Sequence, residues 1–207
     1  MRLKHLRSFS LIMISILLIS SFCTVSYAAS SASEVKKLFG GYEREIKKAV
    51  PHFSPGELTV DTSDLSADPS SVIWFCFKSG HILAGYNSYR NTVFLYFPCA
   101  TGRNTGQKER AGDMRTPEGH FIIEQIQDSS YWQPYLDKKT GESIGYGPWF
   151  IRLNTGQWKG IGIHGTDIAH EHEIGTNASH GCIRLANEAL LEVKNHVKVG
   201  QTIIIMP

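Results

Sequence analysis

Apolar and polar positions along the chain change rhythm twice. From Ser33, a plausible cap, to about Val50, the apolar residues Val35, Leu38, Phe39, Tyr42, Ile46 and Val50 recur at helical spacing. Lys36, Lys37, Arg44, Lys47 and Lys48 fall on the other faces, so the pattern predicts one amphipathic helix with a solvated basic side. Residues 51–70, with Pro51, Pro55, Gly56 and Pro69 among Ser and Asp, read as a connecting stretch. From Ser71 the rhythm becomes that of strands. "SVIWFCF", "KSG" and "HILAGY" predict a hairpin, and "TVFLYFP", "GHFIIEQI", "WFIRL", "GIGIH" and "QTIIIMP" predict further strands. Only "NEALLEVKNHV" reads as a helix there, with Asn187 as its expected cap and Leu190, Leu191, Val193 and Val197 for packing. The expectation is a mainly β domain over 71–207 with one or two helices, preceded by a helical extension and linker over 29–70.

The N-terminus follows a different logic. Arg2, Lys4 and Arg7 precede an apolar run from Leu11 to Phe22, and Ser26 and Ala28 stand at the small positions read by a signal peptidase. Residues 1–28 are therefore expected to be a secretory signal, which places the protein in the periplasm or cell wall. An uncleaved membrane anchor is the alternative, because the apolar stretch comes near the minimum for a spanning helix. Cleavage removes three positive charges and no acids, taking the net charge from +2 to about −1. Such a surface lacks the field that binding to phosphates requires, which argues against nucleic acid as a partner.

Three cysteines remain beyond the signal: Cys76, Cys99 and Cys182. An odd number outside the cytosol leaves at least one thiol unpaired. Cys76 and Cys99 lie in or beside apolar runs, where cysteine is commonly a small inert hydrophobe, and a bond between them stays open. Either way, Cys182 is left over.

Cys182 stands in "SHGCIRLANEA", eighteen positions after His164 in "IHGT". Thiolate is the reactive form of cysteine, and an ordinary thiol needs a basic or cationic neighbour to reach it near neutrality. His164 ends a strand and Cys182 starts the segment leading to the helix, so the intervening loop can bring base and nucleophile together. A third group must fix the imidazole tautomer, and the Gly165 carbonyl is the nearest one. Gly181 permits close backbone approach, so the amide of Cys182 and the one before it are expected to form an oxyanion hole. Arg184 has two readings, as a ligand for a substrate carboxylate or activator of the thiol, and as a structural ion pair. His180 likewise reads as a second base or substrate ligand, or as a structural hydrogen bond.

These residues resemble a known family. "IHGT" at 163–166 and "SHGCIRL" at 179–185 are similar to the catalytic core of the L,D-transpeptidases of bacterial cell-wall synthesis, the YkuD-type domain. "TPEGHF" at 116–121 resembles the upstream motif with which those domains begin a strand, and "ATGR" at 100–103 resembles their strand-end turn. The resemblance covers about 71–207 and implies a β-sandwich with the thiol at one end. It implies Cys182 as nucleophile, His164 as base and Gly165 as the residue orienting it, with Ser179, His180, Gly181 and Arg184 around the nucleophile. It also implies attack on the amide after the third residue of a peptidoglycan stem tetrapeptide, usually a diaminopimelate, with release of D-alanine. The thioester then passes to the side-chain amine of a second stem or to water. Carbapenems are the implied inhibitors. No cofactor or metal is called for, and a monomer is expected. The aromatic-rich segment from Gln127 to Gly147 lies where relatives carry variable loops, and reads either as a lid or as a surface loop.

Two other classes compete. His164, His170, His172 and His180 with Cys182 would supply the ligands of a zinc-dependent cell-wall peptidase, although His170 and His172 sit in a charged stretch that reads more simply as a solvated loop. A non-catalytic wall-binding module is the second, but binding alone needs no thiol beside a histidine. A papain-like or NlpC-type peptidase has its cysteine before its histidine, the reverse of the order here.

Overall fold

The computed structural model describes residues 31–63, 68–138 and 140–207. The expected signal or anchor lies outside these residues. Two helices come first, α1 at Ala32–Gly41 and α2 at Glu43–Ala49. The strands follow: β1 (Thr59–Val60), β2 (Val72–Phe77), β3 (Ile82–Asn87), β4 (Thr92–Pro98), β5 (Thr101–Gly102) and β6 (Gly119–Asp128). After them come β7 (Tyr135–Leu136), β8 (Ser143–Ile144), β9 (Trp149–Asn154), β10 (Gly162–His164), β11 (Asn177–Ser179) and β12 (Ile183–Arg184). Helix α3 (Asn187–His196) and strand β13 (Thr202–Met206) complete the described chain. Every strand expected from an apolar run is present.

Nine strands form one sheet in the order β1-β4-β3-β2-β13-β6-β9-β10-β12, with β11-β5 and β7-β8 as small accessory pairs. The unbroken apolar runs of β2 and β13 follow from burial on both faces, where alternation with polar residues is no longer needed. Trp74, Cys76, Ile203 and Ile205 point to one face, with Ile151, Ile163, Ile183, Leu190 and Val193. Phe75, Phe77, Ile204 and Met206 point to the other, under Val35, Phe39, Ile46 and Val50 of the N-terminal helices. Helix α3 thus covers one face while α1 and α2 cover part of the other.

The single helix expected from Ser33 to Val50 is two. Gly40 and Gly41 are poor helix formers, and Tyr42 leaves helical geometry at φ −111°, ψ 22°. The Tyr42 hydroxyl instead donates to the Pro207 carbonyl and contacts the Ser79 hydroxyl. The cap is Ser31, not Ser33: the Ser31 hydroxyl accepts from the Glu34 amide, and the Glu34 carboxylate accepts from the Ser31 amide. Asn187 does not cap α3 from outside. It is the first helical residue, and its side-chain amide exchanges two hydrogen bonds with the Thr166 backbone, at 3.1 and 3.0 Å. This ties the start of α3 to the loop after His164.

Cys76 and Cys99 are fully buried free thiols in the same apolar cluster. The neighbouring Cys76 thiol, through its hydrogen bond, and then burial hold the Cys99 thiol well above the ordinary range.

Candidate active site

Strand β10 lies between β9, antiparallel, and β12, parallel, with His164 opposite Phe150 on one side and Arg184 on the other. His164 and Arg184 therefore project from the same face, and Arg184 stands two residues past Cys182. The imidazole stacks on Phe150 at 5.6 Å between centroids and 11° between planes, and meets Tyr146 edge-on at 5.2 Å. Its Nδ1 lies 2.6 Å from the Gly165 carbonyl oxygen. A carbonyl only accepts, so Nδ1 carries the proton and Nε2 keeps a free lone pair.

Gly165 has no room for a side chain. A Cβ there would lie 2.1 Å from Asn187 Oδ1 and 3.0 Å from the Gly147 Cα. Gly165→Ala is expected to cost about 1–3 kcal/mol of stability, as overpacking does, and to swing the carbonyl away from His164. A melting temperature and a thiol acylation rate both equal to those of the parent would show that the backbone yields without consequence.

The loop that carries Cys182 is built by the motifs around it. Gly181 has φ +128°, and a Cβ there would meet the Arg115 carbonyl at 2.9 Å, so glycine is required on both counts. The Ser179 hydroxyl accepts from the Gly181 amide at 3.0 Å and donates to the Cys182 carbonyl at 2.5 Å. This corrects one expectation: the Gly181 amide is taken by Ser179, and Cys182's own amide remains for an oxyanion. Upstream, Ala100 exchanges backbone hydrogen bonds with Arg184, Arg103 donates its amide to the Ser179 carbonyl, and the Thr116 hydroxyl accepts from the Gly102 amide. "ATGR" and "TPEG" are thus scaffolding behind the thiol.

Cys182 is half-buried in the wall of a cleft of about 820 Å³, together with His164, Tyr146, Trp158, Ser179, His180 and Arg184. Its thiol lies 3.4 Å from the Gly160 carbonyl. Burial pushes the thiol up to about 11, opposed by the Gly162 amide and by the charges of Arg184, Arg152 and Lys108. Burial lowers His164 to about 4, against the Gly165 hydrogen bond and with help from Arg184. Near neutrality the free site thus holds a neutral thiol beside a neutral imidazole.

Arg184 is 1% exposed and pairs with Glu173, as the ion-pair reading expects. Yet Nε and Nη1 of the same guanidinium are buried without a hydrogen-bond partner, so its charge is only partly spent on Glu173. His180 lines the cleft, with Nε2 2.8 Å from Asp137 Oδ2 and its ring 4.9 Å from that of Tyr135.

The 127–147 segment divides. Strands β7 and β8 pair as a hairpin along the cleft, where Tyr135, Leu136, Asp137, Ile144 and Tyr146 line it. Tyr131 is exposed, whereas Trp132 packs on Tyr146 and Phe150. Trp158 and Lys159, two cleft residues the sequence did not single out, precede "GIGIH" in a Gly-bounded turn, which was their only signal.

The zinc set does not assemble as expected. Among the described residues, the one group of three or more potential ligands within 4.8 Å is Asp137, Glu142 and His180, without His164 or Cys182. Nor is His170 simply solvated: its Nδ1 lies 2.6 Å from Asp167 and its Nε2 3.5 Å from Glu142.

With a thiol and a carbonyl-oriented histidine sharing one cleft, family comparison becomes informative. The chain belongs to the YkuD family, the L,D-transpeptidase catalytic domain, which matches residues 78–205. No curated protein matches it in sequence. Among solved structures it is similar to L,D-transpeptidase 3 from Mycobacterium tuberculosis in complex with a faropenem-derived adduct. That match has 18% identity and a TM-score of 0.52, covering 66% of this chain and 60% of the other. An L,D-transpeptidase in complex with imipenem matches at 20% identity and a TM-score of 0.50, covering 66% and 59%. Another from Mycobacterium tuberculosis H37Rv matches at 18% identity and a TM-score of 0.50, covering 66% and 58%. The chain thus spans about three-fifths of these structures, and at such identities the likeness is one of fold.

Proposed function

We propose that the protein is an exported, cysteine-dependent L,D-transpeptidase acting on peptidoglycan stem tetrapeptides. The observation that carries this reading is the His164 Nδ1 contact with the Gly165 carbonyl, which leaves Nε2 as a base in the cleft that holds Cys182. In the first half-reaction the Cys182 sulfur attacks the carbonyl after the third stem residue, and its proton passes to His164 Nε2. The Cys182 amide donates to the oxyanion. Collapse breaks the C–N bond, His164 returns the proton to the leaving D-alanine amine, and a thioester remains on Cys182. In the second half-reaction a side-chain amine of another stem attacks the thioester and yields a cross-link; attack by water yields the free tripeptide stem.

Charge supports a stem peptide as the ligand. Lys138 and Lys159 line the cleft with Lys108 and Arg184, which are paired with Asp113 and Glu173, and with Asp137, which faces His180. Such a lining suits a ligand rich in carboxylates.

The test is incubation of the purified protein with tetrapeptide-stem muropeptides, with products read by mass. Loss of one D-alanine with formation of a dimer supports transfer, and loss without a dimer supports hydrolysis. Intact substrate in the presence of folded, thiol-reactive protein would overturn the reading.

A further inference from the structure

The β7–β8 hairpin and the loop that carries Cys182 bring together donors that the thiol chemistry does not use. Asp137 and Glu142 close the hairpin turn: the Asp137 amide donates to the Glu142 carbonyl at 2.8 Å, and the Gly141 amide to the Asp137 carbonyl at 2.7 Å. The backbone therefore fixes both carboxylates on one tight turn. Facing them, His180 is set by the Gly181 turn and the Tyr135 ring, with Nε2 2.8 Å from Asp137 Oδ2. One ligand atom from each of Asp137, Glu142 and His180 lies within 4.8 Å of the other two. His170 from the Ile168–Glu173 turn touches Glu142 from outside that group, its Nε2 3.5 Å from Glu142 Oε1.

We propose that Asp137, Glu142 and His180 form a binding site for a zinc-type divalent cation that staples the hairpin to the loop carrying Cys182. One imidazole nitrogen with two carboxylates, a fourth position being open to water, is a donor set that zinc takes readily, and calcium or magnesium less so. Donors on a tetrahedral zinc ion stand about 3.3 Å apart. The three ligand atoms stand between 2.8 Å, from His180 Nε2 to Asp137 Oδ2, and 4.8 Å apart, a range that contains that spacing. Asp137 is only 3% exposed, so its carboxylate is already stripped of most water before an ion arrives. Arg103 occupies Oε2 of Glu142 and leaves Oε1, the oxygen nearer His170, for the metal. The site lies at the cleft rim and excludes Cys182, so it calls for no metal step in the acyl transfer. Its role is to hold the hairpin down beside the substrate path.

The experiment uses metal-stripped, untagged Cys182→Ala protein, which cannot ligate zinc through the cleft thiol and cannot perform the proposed chemistry. Its outcome is therefore independent of the transpeptidase reading. Zinc titrated by calorimetry is expected to bind at one equivalent, and cobalt to give a visible band typical of four-coordination. Glu142→Gln and His180→Gln in that background should each weaken zinc binding at least about tenfold with melting profiles retained. Asp137→Asn should do the same if it folds. Amide exchange over residues 135–144 should slow on adding zinc. Absence of saturable zinc binding, unchanged affinity in Glu142→Gln and His180→Gln, or exchange in the hairpin indifferent to zinc would each overturn the proposal.

Discussion

Cys182→Ala is expected to yield a folded protein that forms no thioester and gains no carbapenem adduct, whereas the parent gains one, mapped to Cys182. The thiol sits half-buried at the cleft wall, so trimming it opens little core space. Cys76 and Cys99 are fully buried and should stay unmodified in the native state. The pH profile adds a sharper criterion. Moving the proton from the thiol to the imidazole conserves the protons on the pair, so the reactive ion pair forms to the same extent wherever both groups begin neutral. That window runs from above about 4, where His164 loses its proton, to below about 11, where the thiol does. Acylation should be level between those limits and fall as pH drops through the lower one, because a protonated imidazole cannot accept the thiol's proton. Intact mass against time across pH checks this. An inflection near the ordinary histidine value would show that His164 is less desolvated than its packing against Phe150 and Tyr146 requires, and an adduct on Cys76 or Cys99 would relocate the reactive thiol.

His164→Gln should lower the acylation rate by about a hundredfold or more, the usual contribution of a positioned general base. Glutamine keeps a polar side chain but offers no basic nitrogen, so the thiol would have to ionise unaided from its raised range. The variant's profile should then rise with pH instead of staying level, since only free thiolate would react. Stopped-flow acylation at several pH values measures both features. A parental rate would pass the base role to His180, which lines the same cleft.

Much of the fold was legible because its strongest signal, continuous apolar runs, comes from strands covered on both faces. Trp74 and Phe75 are adjacent in sequence and belong to opposite cores, and the run "VIWFCF" records both. The break at Tyr42 was not legible, because apolar spacing continues through it from Phe39 to Ile46. What ends the helix is a long-range bond to the Pro207 carbonyl, added to two weak helix formers. The site divides in the same way. His164, Gly165 and Cys182 were singled out by one short motif pair and a strand end, and the fold places His164 and Cys182 in one cleft with the Gly165 carbonyl on the imidazole. The fates of Ser179, His180 and Arg184 depended on partners that local sequence does not name. Ser179 turns inward to take the Gly181 amide, and His180 meets Asp137 forty-three positions away. Arg184 meets Glu173, leaving two of its three guanidinium nitrogens without partners. The expected zinc set failed because it grouped histidines by abundance, whereas the fold divides them between the cleft and the turn beside the hairpin.

The place of β13 in the sheet ties the two cores together. Residues 202–206 lie between β2 and β6, parallel to one and antiparallel to the other. Without them the two halves stay joined through the Ala100–Arg184 bridge and the β5–β11 pair, but each apolar cluster lacks two members, Ile203 and Ile205 in one, Ile204 and Met206 in the other. Both cores are thus completed by the same five-residue strand. Whatever displaces this one strand loosens the face under α1 and α2 together with the face that carries α3.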